Sequence, residues 1–251
     1  MGRYGVNRLP PGPRRAALVL VVLATLLAPS VTTLWVSTPS GSDVHARVTA
    51  LTSHYGIVLL GPDDIPAMLA KAVVATEDER FYTHHGIDSV GLARALLYDV
   101  ANRCLCQGGS TITEQLVKDV YLGGSNSGYN KVVDAVLALK VERVLTKQQI
   151  MAYYLSEITT GLGRRGVSDA SCAYFQAPLH SLTLGQYALL AGVTQAPSYY
   201  DPTVDPAAAE HRRRQVLSSM TSEGFITSAQ ALEANAEPVL VTAARPNPAC
   251  A

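Results

Sequence analysis

The sequence predicts a mainly α-helical body exported behind one apolar N-terminal span. Apolar residues recur at i, i+3 and i+4 in one segment after another, the spacing that gives a helix a buried stripe. No stretch alternates strictly enough to read as a strand, and there is no fixed-period repeat. The first basic stretch is followed by 21 residues without a charge, Ala16 to Val36. About 20 apolar residues suffice to cross a bilayer as a helix.

Residues 1–15 form a basic tail, with Arg3, Arg8, Arg14 and Arg15 and no acid. Positive charge before a span keeps that end in the cytoplasm, so the bulk is expected outside. Trp35 suits an interfacial anchor at the far end of the 16–36 span. A cleaved signal peptide is the rival: Leu18–Ala28 is a short apolar region and Ala28-Pro29-Ser30 a small-residue site. Residues 37–54 read as a stalk, 55–230 as the folded domain and 231–251 as a tail. Within the domain, Met68, Leu69, Ala72, Val73 and Thr76 share one helical face. Val90, Ala93, Leu97 and Val100 share another. Gln115–Leu122 reads as a third helix, stopped by Gly123-Gly124. Lys131–Leu145 has Val133, Val136, Leu137, Val141 and Val144 on one side. Gln148–Ile158, Ala170–Phe175, Thr183–Gly192 and Ala207–Met220 complete the set.

Composition narrows the function. Basic and acidic residues balance at 20 each and charged residues are 16%, which excludes a disordered chain and argues against a nucleic-acid partner. Four cysteines in an exported chain point to disulfides. Cys104 and Cys106 are too close for an easy mutual bridge, so Cys172 is the expected partner of one of them, with Cys250 left over.

Two segments carry chemistry. Residues 77–88 hold four acids and two histidines within 12 positions. A polar loop after a helix accounts for such a cluster as well as a site does, and adjacent histidines seldom face one metal ion. In the second, Gly108-Gly109-Ser110-Thr111-Ile112-Thr113-Glu114-Gln115 has glycines before a Ser/Thr run that can cap a helix and offer N–H donors to an anion. Lys118 lies one turn from Glu114 and Gln115.

In this order the segments resemble the peptidoglycan glycosyltransferase domain of penicillin-binding proteins, glycosyltransferase family 51. Glu77, Asp78, Phe81, His84 and Gly86 meet its first motif. Gly108, Ser110, Thr111, Ile112, Thr113, Gln115, Leu116 and Lys118 meet its second. Lys131, Leu137, Ala138, Glu142, Lys147, Ile150, Tyr154, Leu155 and Gly161 follow the third and fourth, and the similarity continues through Ala191-Gly192 and Arg213 to Gly224-Phe225-Ile226-Thr227. It covers roughly residues 55–230.

The resemblance implies a lysozyme-like helical fold and polymerisation of lipid II, a sugar on a polyprenyl diphosphate. Glu77 matches the general base and Asp134 the second acid. Asp78, His84, Ser110, Thr111, Thr113, Gln115, Lys118 and Lys131 match substrate-binding positions, the two lysines facing the diphosphate. A divalent cation, Mg or Mn, is implied there. The partners implied are lipid II, the growing glycan chain, the membrane and proteins of cell division or elongation. No Ser-x-x-Lys or Lys-Thr-Gly occurs, so the resemblance is to a monofunctional, single-pass enzyme of the cell membrane.

Departures from the pattern favour a second reading. Asp134 stands for Glu, Asn130 for Arg, Glu114 for Gln, Asp119 and Ser156 for Asn, and Gln186 for Glu. Three of these make the phosphate side less positive, as in a non-catalytic paralogue that binds lipid II as a scaffold. A hydrolase ranks last, because two lysines suit an anionic leaving group better than a neutral sugar.

Between the first two motifs, Leu92, Leu96, Leu97 and Val100 suit a lipid-contacting lobe or a core stripe. Arg212-Arg213-Arg214 reads as a solvated helix face or one that touches lipid headgroups.

Overall fold

The computed structural model describes residues 29, 31–104, 108–125, 127–161, 163–239 and 250. Two compact units divide at Pro39. In the first, residues 31–37 are helical; most of the expected span 16–36 lies outside the described residues. Among the described residues, no helix is long and apolar enough to cross a membrane.

The second unit is mainly helical, as expected. Its helices are α1 (Val44–Tyr55), α2 (Ala67–Glu77), α3 (Ser89–Asn102), α4 (Ile112–Leu122), α5 (Gly128–Val141) and α6 (Lys147–Glu157). After a small antiparallel pair, β1 (Thr159–Gly161) and β2 (Arg164–Arg165), come α7 (Val167–Phe175), α8 (Leu184–Val193), α9 (Pro206–Ser222) and α10 (Ser228–Asn235). Thr111, Thr146, Thr183 and Thr227 each start a helix with a capping box. In that motif hydroxyl and N3 side chain satisfy two orphan N–H groups at once.

α8 is the hub. Gly185 and Tyr187 to Val193 are buried, a helix apolar on every side, and α2, α7, α9 and α10 pack around it. Gly192 lets α9 come close, because a Cβ there would lie 2.8 Å from Cγ of Arg212. A second layer joins α4, α5 and α6, with α1 laid across α4 and α6. Gly86 fits the first motif to α5: its φ is +92°, and a Cβ would lie 2.7 Å from the Ala138 carbonyl carbon.

Four expectations change. Residues 44–54 are helix rather than stalk, since Val44, Val48 and Thr52 bury one side chain per turn and Asp43 accepts the Tyr121 hydroxyl at 2.7 Å. The tail begins later than 231, because α10 runs on to Asn235 against α8 and α9. Cys172 is bonded to Cys250, their Cα atoms 5.4 Å apart, so Cys250 is not left over. Cys106 lies outside the described residues. Finally, α3 buries only Ala95, while Leu92, Leu96, Leu97 and Val100 are exposed, so they form no core stripe.

Candidate active site

Glu77 closes α2 and turns its carboxylate into the gap between α2, α4 and α9. Its Oε2 accepts the Gln115 amide N–H at 3.1 Å, and the Tyr154 hydroxyl donates to Oε1 of Gln115 at 3.3 Å. Nη2 of Arg212 lies 3.7 Å from its Oε1. Burial pushes the Glu77 carboxyl above its ordinary value of 4.5, and the Gln115 hydrogen bond and the Arg212 charge oppose the rise. A carboxylate so placed takes a proton more readily than one in water, while its partners keep an ionised form accessible. Glu77 borders a cavity of about 250 Å³ shared with Glu79, Asp88, Arg94, Gly109 and Ser110.

Asp78 points the other way, into the protein. It accepts Nε2 of His84 at 2.8 Å and the Ile112 N–H at 3.0 Å, tying the first motif to the start of α4. Thr113 donates to Glu142 at 2.6 Å, as does Lys147. Thr111 donates to the Gly86 carbonyl at 2.7 Å and accepts the Glu114 N–H at 3.1 Å. Asp78, His84, Thr111 and Thr113 are all buried. Expected to touch substrate, Asp78, His84 and Thr111 instead hold the loop 78–86 on the start of α4 and Thr113 ties α4 to Glu142 at the end of α5, while Nδ1 of His84 is left without a hydrogen-bond partner among the described residues. The reason is local: an N-cap threonine and a carboxylate at a helix start find the orphan N–H groups before any ligand does.

The side expected to face the diphosphate is formed by Ser110, Glu114, Lys118, Lys131 and Asp134. Nζ of Lys131 donates to Oγ of Ser110 at 2.7 Å and pairs with Oε1 of Glu114 at 3.2 Å. The other Glu114 oxygen accepts the Thr111 N–H at 2.8 Å. The Lys118 side chain, half-buried three residues beyond Gln115, makes no hydrogen bond or ion pair among the described residues. Asp134 is buried, its Oδ1 without a hydrogen-bond partner among the described residues. Burial raises its carboxyl from 3.8 to about 6, with Lys131 opposing and Glu114 adding to the rise. Asn130 donates to Ser125 at 2.7 Å.

Arg212 is the site residue that sequence reasoning missed. Neither Arg212 nor Arg213 is solvated: Arg213 donates to the carbonyls of Asn235 and Glu237 at 2.9 and 2.8 Å, and only Arg214 is exposed, paired with Glu210. The signal was present, since residues 212 and 213 fall on the stripe of Ala209, Val216, Leu217 and Met220, all buried. Arg212 also stacks 5.6 Å from the Tyr200 ring, which steers its fork toward Glu77.

Comparison with known proteins bears on this arrangement. The family model described as transglycosylase matches residues 48–221. Penicillin-binding protein 1A of Haemophilus influenzae is 41% identical over 179 residues, 71% of this chain and 21% of its own. Its namesake in Aquifex aeolicus is 39% identical over 206 residues, 81% of this chain and 28% of its own. The chain thus spans 21% and 28% of the length of these relatives. A crystal structure of the Haemophilus influenzae protein aligns with 76% of this chain and 19% of its own, at 23% identity and a TM-score of 0.45. With the family model covering well over half its length, the chain belongs to the transglycosylase family, glycosyltransferase family 51.

Proposed function

We propose that this chain is a peptidoglycan glycosyltransferase that joins lipid II units into β-1,4 glycan strands, with Glu77 as general base. The observation that carries the reading is Glu77 itself, a carboxylate fixed by Gln115 and Arg212 at the edge of a polar cavity. The acceptor's 4-hydroxyl oxygen bonds to the donor's anomeric carbon while its proton passes to Glu77. The anomeric carbon–oxygen bond to the diphosphate breaks, and the electron pair leaves on the diphosphate, with inversion at carbon. Lys118 and Lys131 receive that developing charge.

A divalent ion fits this donor set in one respect: Asp134 offers a buried carboxylate oxygen that no other group holds among the described residues, a hard ligand of the type Mg or Mn prefers. Such an ion would neutralise diphosphate charge. The exposed apolar side chains of α3 (Leu92, Leu96, Leu97, Val100) suit a lipid surface, and the 16–36 span would keep the domain beside the membrane that holds its substrate. Proteins of division or elongation remain the partners such an enzyme would serve.

The experiment is to incubate the purified full chain with labelled lipid II and Mg and to resolve products by chain length. Wild type should make polymer, and Glu77→Gln should lose roughly 100-fold or more while still binding lipid II. A second reading, a lipid II-binding scaffold, is favoured by the Glu114 carboxylate on Lys131. Binding without polymer from wild type selects it.

A further inference from the structure

The mouth of α4 is closed by the protein's own groups. The Thr111 N–H is held by Glu114, the Ile112 N–H by Asp78 and the Glu114 N–H by the Thr111 hydroxyl. Lys131 reaches the same mouth, with Ser110 at 2.7 Å and Glu114 at 3.2 Å. A single buried carboxylate therefore accepts a backbone N–H and forms an ion pair with a lysine ammonium. Those are the donors an incoming phosphate oxygen uses at a helix start. Lys131 is half-exposed, its side chain 51% accessible, so it can turn from Glu114 toward a ligand; Glu114, at 5%, cannot follow it out. Lys118, the other cation, has no ion pair with a carboxylate among the described residues.

We propose that Glu114 is an internal counter-ion that occupies Lys131 in place of the substrate's diphosphate, weakening diphosphate binding and favouring its release. It is a positioning residue acting through Lys131, and the proposal rests on the reading that Lys131 meets the diphosphate. The charge on Glu114 is what matters, because its capping role needs only an acceptor oxygen. Glutamine supplies that oxygen through its amide carbonyl and still accepts the Thr111 N–H. Glu114→Gln therefore separates the two roles. The cap survives, the ammonium loses its internal partner, and the neighbouring Asp134 loses one like charge.

The test measures binding of inorganic diphosphate to the purified full chain by calorimetry at fixed low salt, using wild type, Glu114→Gln, Lys131→Ala and the double variant. Glu114→Gln should bind about three- to tenfold more tightly, the scale of one partly exposed charge pair. Its thermal midpoint should stay close to that of wild type. Lys131→Ala should bind more weakly, and in that background Glu114→Gln should give no gain. If Lys131→Ala binds as wild type does, Lys131 is no diphosphate ligand, and both the site reading and the counter-ion proposal fall. If Lys131→Ala weakens binding but Glu114→Gln does not tighten it, the site reading stands and the counter-ion proposal alone is wrong. An equal gain with and without Lys131 also overturns it, because the carboxylate would then act as general repulsion rather than through this lysine.

Discussion

Glu77 and Arg212 set the chemistry at the scale of single residues. The base must be ionised to take a proton, and burial has raised its pKa, so the acid limb of the rate profile should lie above the pH 4.5 of an ordinary glutamate. Arg212 opposes that rise from 3.7 Å. Arg212→Met removes the charge but keeps an apolar stem, and should move the limb to higher pH while lowering the plateau. A pH–rate profile with an unmoved limb would detach Arg212 from Glu77. Asp134 makes the complementary prediction on stability. Its carboxyl rises to about 6 in the folded protein, against 3.8. A raised acid binds its proton more tightly when folded, so its ionisation costs stability as pH climbs from about 4 through 6. Above that the cost is complete, at most about 3 kcal/mol. Asp134→Asn should therefore be more stable than wild type at pH 8, with the gap closing below pH 4, as read by urea unfolding at both values. A gap that does not change with pH would mean that the two states share one pKa.

Elements were legible where a wide apolar stripe coincided with a cap. α2, α4, α5, α6, α8 and α9 fold within a few residues of the spans their periodicity predicts, and Thr111, Thr146 and Thr183 mark three of their starts. α1 was hidden because its stripe is a single file, Val44, Val48 and Thr52, inside a segment rich in Ser and Thr. The β1–β2 pair is too short to show alternation, with three and two residues. Asp78, His84, Thr111 and Thr113 were found as a group by motif, but their direction was not readable. A motif marks which residues meet, and only packing decides which turn inward. The α1 result has a direct check. Val48 is fully buried, so Val48→Ala should cost about 2 kcal/mol in denaturant unfolding, whereas a stalk residue would cost less than about 0.5 kcal/mol.

Across the whole molecule, one hub helix and one long covalent link organise the second unit. α8 gathers α2 and α9, which deliver Glu77 and Arg212 to each other from positions 135 residues apart in sequence. The Cys172–Cys250 bond spans 78 residues and ties the chain end to α7. Closing so long a loop restricts the unfolded chain, so Cys250→Ser should lower stability by about 2–4 kcal/mol, with loss confined to oxidised samples. A variant as stable as oxidised wild type would show that the unfolded state is not constrained by this link. This architecture buries and orients the Glu77 carboxylate, on which polymerisation depends in the proposed mechanism. That dependence is tested most directly by single-turnover polymerisation of labelled lipid II in detergent, followed across pH for wild type, Glu77→Asp and Glu77→Gln. Wild type should give polymer with an acid limb above pH 4.5, Glu77→Asp should be slower, and Glu77→Gln should bind lipid II but make roughly 100-fold less polymer at every pH. Polymer from Glu77→Gln at the wild-type rate would contradict that dependence.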